Sequence, residues 1–299
     1  MKRVARPKGI EDGPGRDRKI YVGCLNVVLH PHSKALYVKF LTALKNHRLA
    51  VKVRGDDALM IGSCIKSEDG SHYYGEIYKY LNLDANADWF NVESMSAASK
   101  KDVGTVVIPE NLKPHFKKYP YVFFPYKHRL FFVAKTGGDT LAPSLLKKFL
   151  EGAAESELMA EFGRLTVTVE PKKGSTDELF KLPRLSKIEL EIYKPNPDDH
   201  AGLDLEIQER LNNIHAKKEV VIYVEDDSEG LKPDDRLKAL ASVAASNGKV
   251  AVKGRNAQND VVSLSTENSP LYEPVSFNPN NQTEDSALLQ AALHIRRGL

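Results

Sequence analysis

The sequence predicts an α+β protein: mixed, mainly antiparallel sheets with flanking helices. Three observations predict it. A strand and a helix near the start are followed by a meander of short strands, not by strict strand–helix alternation. An aromatic hairpin occupies the middle of the chain. From there, residues 119–194 run strand, strand, helix, strand, short helix, strand, which is enough for one antiparallel sheet with helices packed on it.

In chain order, residues 1–18 combine charge with glycine and proline and lack apolar periodicity, so a flexible arm is expected. Ile20 to Leu29 is β-branched and apolar, a strand. After His30-Pro31-His32, Ser33 can cap a helix from Lys34 to about His47, with Leu36, Phe40, Ala43 and Leu44 on one face. Strands follow at 50–54, 58–65 and 72–80, separated by Gly55-Asp56-Asp57 and Glu68-Asp69-Gly70. Residues 82–91 read as loop and 103–108 as a short strand closed by Pro109. The hairpin pairs 119–126 with 130–135 across the basic turn Lys127-His128-Arg129. A helix opens at Pro143 and reaches about Leu150, with more helix at 155–162. Strands at 165–169 and 188–193 flank a helical turn at 176–180, and Pro195-Asn196-Pro197 ends the unit.

The last third alternates helix 203–214, strand 219–224, and an alanine-rich helix 234–245 that Asn247-Gly248 would stop with a left-handed cap. Strands at 250–253 and 261–265 come next, then a Pro/Asn-rich loop over 269–285 and a final helix at 287–297. These elements divide into an arm (1–18), an N-terminal α+β unit (19–110), a central α+β unit (111–200) and a C-terminal α/β segment (201–299) that packs on the other two.

Composition narrows the function classes. The chain has 299 residues, 41% hydrophobic and 28% charged, so it can bury a sizeable core. No apolar run is of membrane-spanning length, and no signal-peptide pattern opens the chain, so a cytoplasmic protein is expected. Its two cysteines cannot form a disulfide framework and read as small buried hydrophobes in a reducing compartment. The net charge of +3 is unevenly spread: residues 1–19 sum to +4 and the remainder to −1. A basic arm on a near-neutral body suits an accessory phosphate contact, and a merely solvated tail would look the same.

The catalytic motifs are weak. Asp139 precedes a strand that ends Glu170-Pro171-Lys172, the order of a metal-dependent nuclease in which two carboxylates hold Mg²⁺ and the lysine activates water. An exposed turn at a strand end explains the same residues. Asp198-Asp199-His200 and the acidic run around Asp226-Asp227 read as loops that offset a helix dipole or face solvent. There is no phosphate-loop glycine motif and no nucleophile elbow, and no cofactor is implied. Basic and aromatic residues interleave between Lys113 and Lys135, with no acid from Leu112 to Arg129. Lys113, Lys117, Lys118, Lys127 and Arg129, helped by Arg16, Arg18, Lys172 and Lys173, are the candidate phosphate contacts, and exposed aromatics could stack on bases. If the aromatics instead alternate into the core, the lysines are ordinary surface; a further alternative is a protein-interaction regulator that binds no nucleic acid.

The segment Tyr121 to Phe132 (YVFFPYKHRLFF) resembles an uncharacterised bacterial domain family. So do Leu165 to Pro171, Leu182 to Leu185, Lys194 to Asp199, Asn247 to Arg255 and Ser265 to Pro270, so the likeness covers most of the chain. The order of elements over 119–194 is similar, more distantly, to the RexA family of phage lambda exclusion proteins. That resemblance implies an RdgC-like architecture and a non-enzymatic, dimeric protein that binds double-stranded DNA. It would act in anti-phage defence with a membrane or effector partner. No RexA functional residue maps onto this chain.

Overall fold

The computed structural model describes residues 17–84, 87–195, 202–227 and 229–298. Two antiparallel sheets with helices against them make the predicted α+β architecture. The chain opens with β1 (Arg18–His30) and α1 (Lys34–Asn46), then the meander β2 (Val51–Arg54), β3 (Asp57–Ile61), β4 (Ile65–Lys66) and β5 (Tyr73–Leu81). A small ribbon, β6 (Phe90–Asn91) and β7 (Ser96–Ala97), leads to the single turn α2 (Lys100–Val103). The hairpin is β8 (Lys117–Phe124) and β9 (Arg129–Thr136), continued by β10 (Asp139–Thr140). Next come α3 (Pro143–Ala154), a 3-10 segment at Glu157–Phe162, β11 (Arg164–Val169), α4 (Ser175–Phe180) and β12 (Arg184–Tyr193). The remainder is α5 (Leu203–Asn213), β13 (Lys218–Val224), α6 (Asp235–Asn247), β14 (Gly248–Arg255), β15 (Val261–Ser265), β16 (Glu273–Phe277) and α7 (Glu284–Ile295).

The large sheet runs β11-β1-β9-β8-β5-β3-β2, with β16 continuing the β11 side along the first half of β1. The small sheet runs β13-β12-β14-β15. The expected boundaries at 110 and 200 both cut through these sheets. The large one takes strands from before 110, from 111–200 and, in β16, from the last third, whereas β12 from the central segment belongs to the small one.

The near-continuous apolar runs of β1, β8 and β9 follow from burial on both faces. Leu25, Leu29, Tyr121, Phe123 and Phe132 point toward α1 and α3 in one core. Val22, Cys24, Phe124, Phe131 and Val133 point the other way, toward α7. The hairpin aromatics therefore do not alternate between core and solvent, and only Tyr126 at the tip and Phe116 before β8 stay exposed. A third core lies between the small sheet and α5 and α6, around Ile188, Leu190, Ala244 and Val252.

Local rules place most elements. Ser33 caps α1 by accepting from the Leu36 N–H at 3.2 Å. The buried stripe is Tyr37, Phe40, Leu41 and Leu44, rotated slightly from the expected one. Pro143 opens α3. Three expectations are corrected. Residues 103–108 form no strand: Ser99 and Asp102 make a reciprocal capping box that winds α2 up to Val103, and 104–108 follow as a turn and irregular chain. The loop expected over 269–285 contains β16, held by the edge of β1. Asn247-Gly248 forms no left-handed cap: Gly248 has φ 166°, an extended conformation, and α6 passes directly into β14. Glycine is needed there because a Cβ would overlap the backbone carbonyl of Glu191.

Candidate nucleic-acid interface

Two groups of candidate residues lie at opposite ends of the hairpin. At the open end, Lys117 forms an ion pair with Asp139 at 2.9 Å and Lys118 with Glu76 at 3.2 Å. Arg18 starts β1, where its charge acts on Glu284 of α7, and the half-buried Lys113 precedes β8. Cations and carboxylates are mixed throughout this end. At the closed end sit Lys127, exposed at the tip, and Arg129. The strand between them spans roughly 25 Å. The single basic surface expected from Lys113 to Arg129 is therefore divided. Arg16 lies outside the described residues, as do Asp198, Asp199 and His200.

Arg129 is not a surface residue. It is 6% exposed, and its Nε lies 2.9 Å from Oε1 of Glu170, which is 1% exposed. The strand pattern explains why. Asn26 of β1 stands opposite Arg129 on one side and Thr168 on the other, and Glu170 follows two residues beyond Thr168 on the same face. This buried polar row faces α6, where the Asn26 side-chain amide donates to Ser246 O at 2.8 Å and to Asn247 Oδ1 at 3.3 Å. A desolvated ion pair with hydrogen-bonding neighbours thus sits where the two sheets meet. Burial pushes the thiol of nearby Cys24 well up, with Glu170 adding to the effect, which keeps it protonated.

The proposed nuclease residues are not brought together. Asp139 is level with Ile20 of β1 through the Thr136 pairing, whereas the Glu170 N–H donates to Cys24 O. Four strand residues separate them, roughly 13 Å, while carboxylates sharing one metal ion lie within ~5 Å. Asp139 faces Lys117 and Glu170 faces Arg129 instead. Among the described residues no group of three or more His, Cys, Asp or Glu is arranged to hold a metal ion.

Beyond Glu170 the chain makes the turn Lys172-Lys173-Gly174. Backbone bonds fix it: Lys172 N–H donates to Ser269 O at 2.8 Å, and Leu271 N–H donates to Glu170 O at 2.8 Å. Gly174 takes φ 79°, a left-handed conformation that suits glycine, and leads into α4. Against this turn lies a polar cleft of about 400 Å³. Ser175 and Thr176 line one wall, Ser242 and Ser246 of α6 another, and His294 of α7 a third, with Glu170 also in the lining and Glu273 the other acid. Lys173 is exposed with no carboxylate partner among the described residues, and Lys172 lies 3.8 Å from Glu178.

The end of α7 ties this cleft to the hairpin. His294 and Ile295 line the cleft, and the Arg296 guanidinium lies 4.4 Å from the ring centroid of Phe124, three residues before Lys127. The exposed Arg297 follows. His294, Arg296, Arg297 and the two α6 serines were absent from the sequence-based set. The ending His-Ile-Arg-Arg is visible in the sequence, but that His294 and Ile295 share a cleft with Lys172 and Lys173 depends on β16 returning the chain to β1, in a stretch that reads as loop.

Two antiparallel sheets that enclose a buried ion pair, beside a cation-flanked polar cleft, define an α+β protein. Residues 18–293 match the family described as a domain of unknown function (DUF4747), and the chain belongs to that family. No curated protein matches the chain. Neither finding bears on the likeness to RexA. Among the described residues no helix is long and apolar enough to cross a membrane.

Proposed function

We propose that this protein binds double-stranded DNA without regard to sequence and without catalysing a reaction. It does so through the cations around the polar cleft beside Glu170, not through the hairpin as a whole. One observation carries the reading. Lys172 and Lys173 line a polar cleft to which α7 contributes His294 and Ile295, Arg296 and Arg297 follow directly in the chain, and among the described residues Lys173, Arg296 and Arg297 have no carboxylate within salt-bridge distance. Cations without internal partners release counterions when they meet phosphates, and that release supplies sequence-independent affinity. Hydroxyls such as those of Ser175, Thr176 and Ser242 are suited to phosphate oxygens.

The finer parts of the reading belong to the same proposal: a cytoplasmic protein, RexA-like, acting in phage exclusion with a membrane or effector partner. Two unbonded cysteines, one of them buried, suit a reducing compartment. The test is duplex affinity by fluorescence anisotropy. Reversing Lys172, Lys173 and Arg297 to Glu is expected to weaken binding more than about tenfold, and reversing Lys117 and Lys118 to leave it within about twofold. The opposite ranking, or no binding at low salt, would remove the proposal.

A further inference from the structure

β13 forms one edge of the small sheet and pairs only with β12 among the described strands. The ladder fixes which backbone groups are left over. Glu225 N–H donates to Ser186 O, and Lys194 N–H donates to Lys217 O, so the odd-numbered residues of this strand bond toward β12. The N–H and C=O groups of Lys218, Val220, Ile222 and Val224 consequently point away from the sheet. Their side chains share one face, where Val220, Ile222 and Val224 are 45%, 51% and 66% exposed. Edges are ordinarily protected by a proline, a bulge or a central charge. This one has none of these: its register with β12 is unbroken, and Val220 to Val224 carry no charge.

We propose that this edge pairs with the same edge of a second copy of the chain, antiparallel and two-fold symmetric about Ile222. The charge pattern selects the occupant and its direction. The strand begins at Lys217-Lys218 and runs into Glu225-Asp226-Asp227, basic at one end and acidic at the other. An antiparallel copy brings Lys217 and Lys218 beside Asp227 and Asp226 of the second molecule, whereas a parallel copy would juxtapose like charges. In this register Val220 lies opposite Val224 and Ile222 opposite itself, giving a row of β-branched cross-strand pairs. Glu219 and Glu225 would also face each other, but each is already neutralised within its own chain, by Arg210 and Arg184 respectively. Lys218 is likewise neutralised by Glu191 at 3.0 Å, so the attraction between copies is carried first by Lys217 and Asp227. The outward-pointing backbone groups of the even-numbered residues are the ones this pairing uses. The small sheet then continues across the interface as eight strands. The inference is independent of the nucleic-acid reading.

Sedimentation of the full chain at micromolar concentration tests it. The wild type is expected to be a dimer. Ile222→Pro removes an N–H that makes no bond to β12, so the fold should persist while the dimer dissociation constant rises more than about 100-fold. Lys217→Glu with Lys218→Glu should also give monomers, and adding Asp226→Lys with Asp227→Lys should restore the dimer. A monomeric wild type would overturn the proposal. So would a dimer that survives Ile222→Pro in a folded protein, or a charge-reversed pair that the compensating reversals fail to rescue.

Discussion

Arg129 and Glu170 illustrate how a residue's chemistry is decided by its burial. In the sequence, Arg129 belongs to a basic turn and Glu170 to a Glu-x-Lys strand end; folded, the two neutralise each other inside the protein. Removing one partner strands a desolvated charge. Glu170→Ala is expected to cost about 3–5 kcal/mol of stability, whereas the paired replacement Arg129→Met with Glu170→Leu should cost far less. Chemical denaturation of the three proteins decides it, and equal losses for the single and double variants would contradict the pairing. His128 offers a second test. Its ring packs 4.4 Å from Tyr37 and 4.6 Å from His32, and burial, reinforced by the charges of His32, Arg129 and Lys34, lowers its pKa to about 3. The folded state therefore keeps the imidazole neutral, while the unfolded chain takes up a proton below its ordinary pKa of about 6.5. Stability is fully present above that value and falls by up to about 1.4 kcal/mol per pH unit below it. Burial of His30, lowered to about 4, works in the same direction. His128→Asn tolerates the φ of 52° and should reduce the acid slope between pH 6 and pH 4 by up to about 1.4 kcal/mol per pH unit. An unchanged slope would mean that His128 contributes none of it.

At the scale of elements, much was legible wherever local signals dominate. The hairpin, the Ser33-capped helix, the Pro143 helix and the strands around 165–169 and 188–193 all occur within a few residues of where their patterns place them. The failures share a cause. β16 is a five-residue edge strand with a proline at its second position, and it exists because β1 is long enough to hold β11 and β16 along the same side. No local pattern reports that. Gly248 reads as a helix stop, but its role is the close approach of β14 to Glu191, which is a tertiary fact. The proposed site was legible only in fragments: Lys172 and Lys173 stand out by charge, while His294 and Ile295 reach their cleft, with Arg296 and Arg297 following, only through β16 and α7. Lys117, Lys118 and Arg129 have the same charge and fail as free contacts, because carboxylates distant in sequence meet them.

Across the whole molecule, what matters is where charge is left uncompensated. The formal net charge of +3 is small, so a phosphate-binding role depends on local excess and not on bulk attraction. The mixed end of the large sheet, around Arg18, Lys117, Lys118, Glu76 and Asp139, contrasts with the cleft that Lys172 and Lys173 line and with the end of α7 that carries Arg296 and Arg297. The dependence of duplex affinity on salt reads that arrangement directly. With about four phosphates neutralised, log K should fall against log salt with a slope of roughly −3 to −4, reduced by about two in Lys172→Gln/Lys173→Gln. A slope near zero, or one that the double variant leaves intact, would contradict the account.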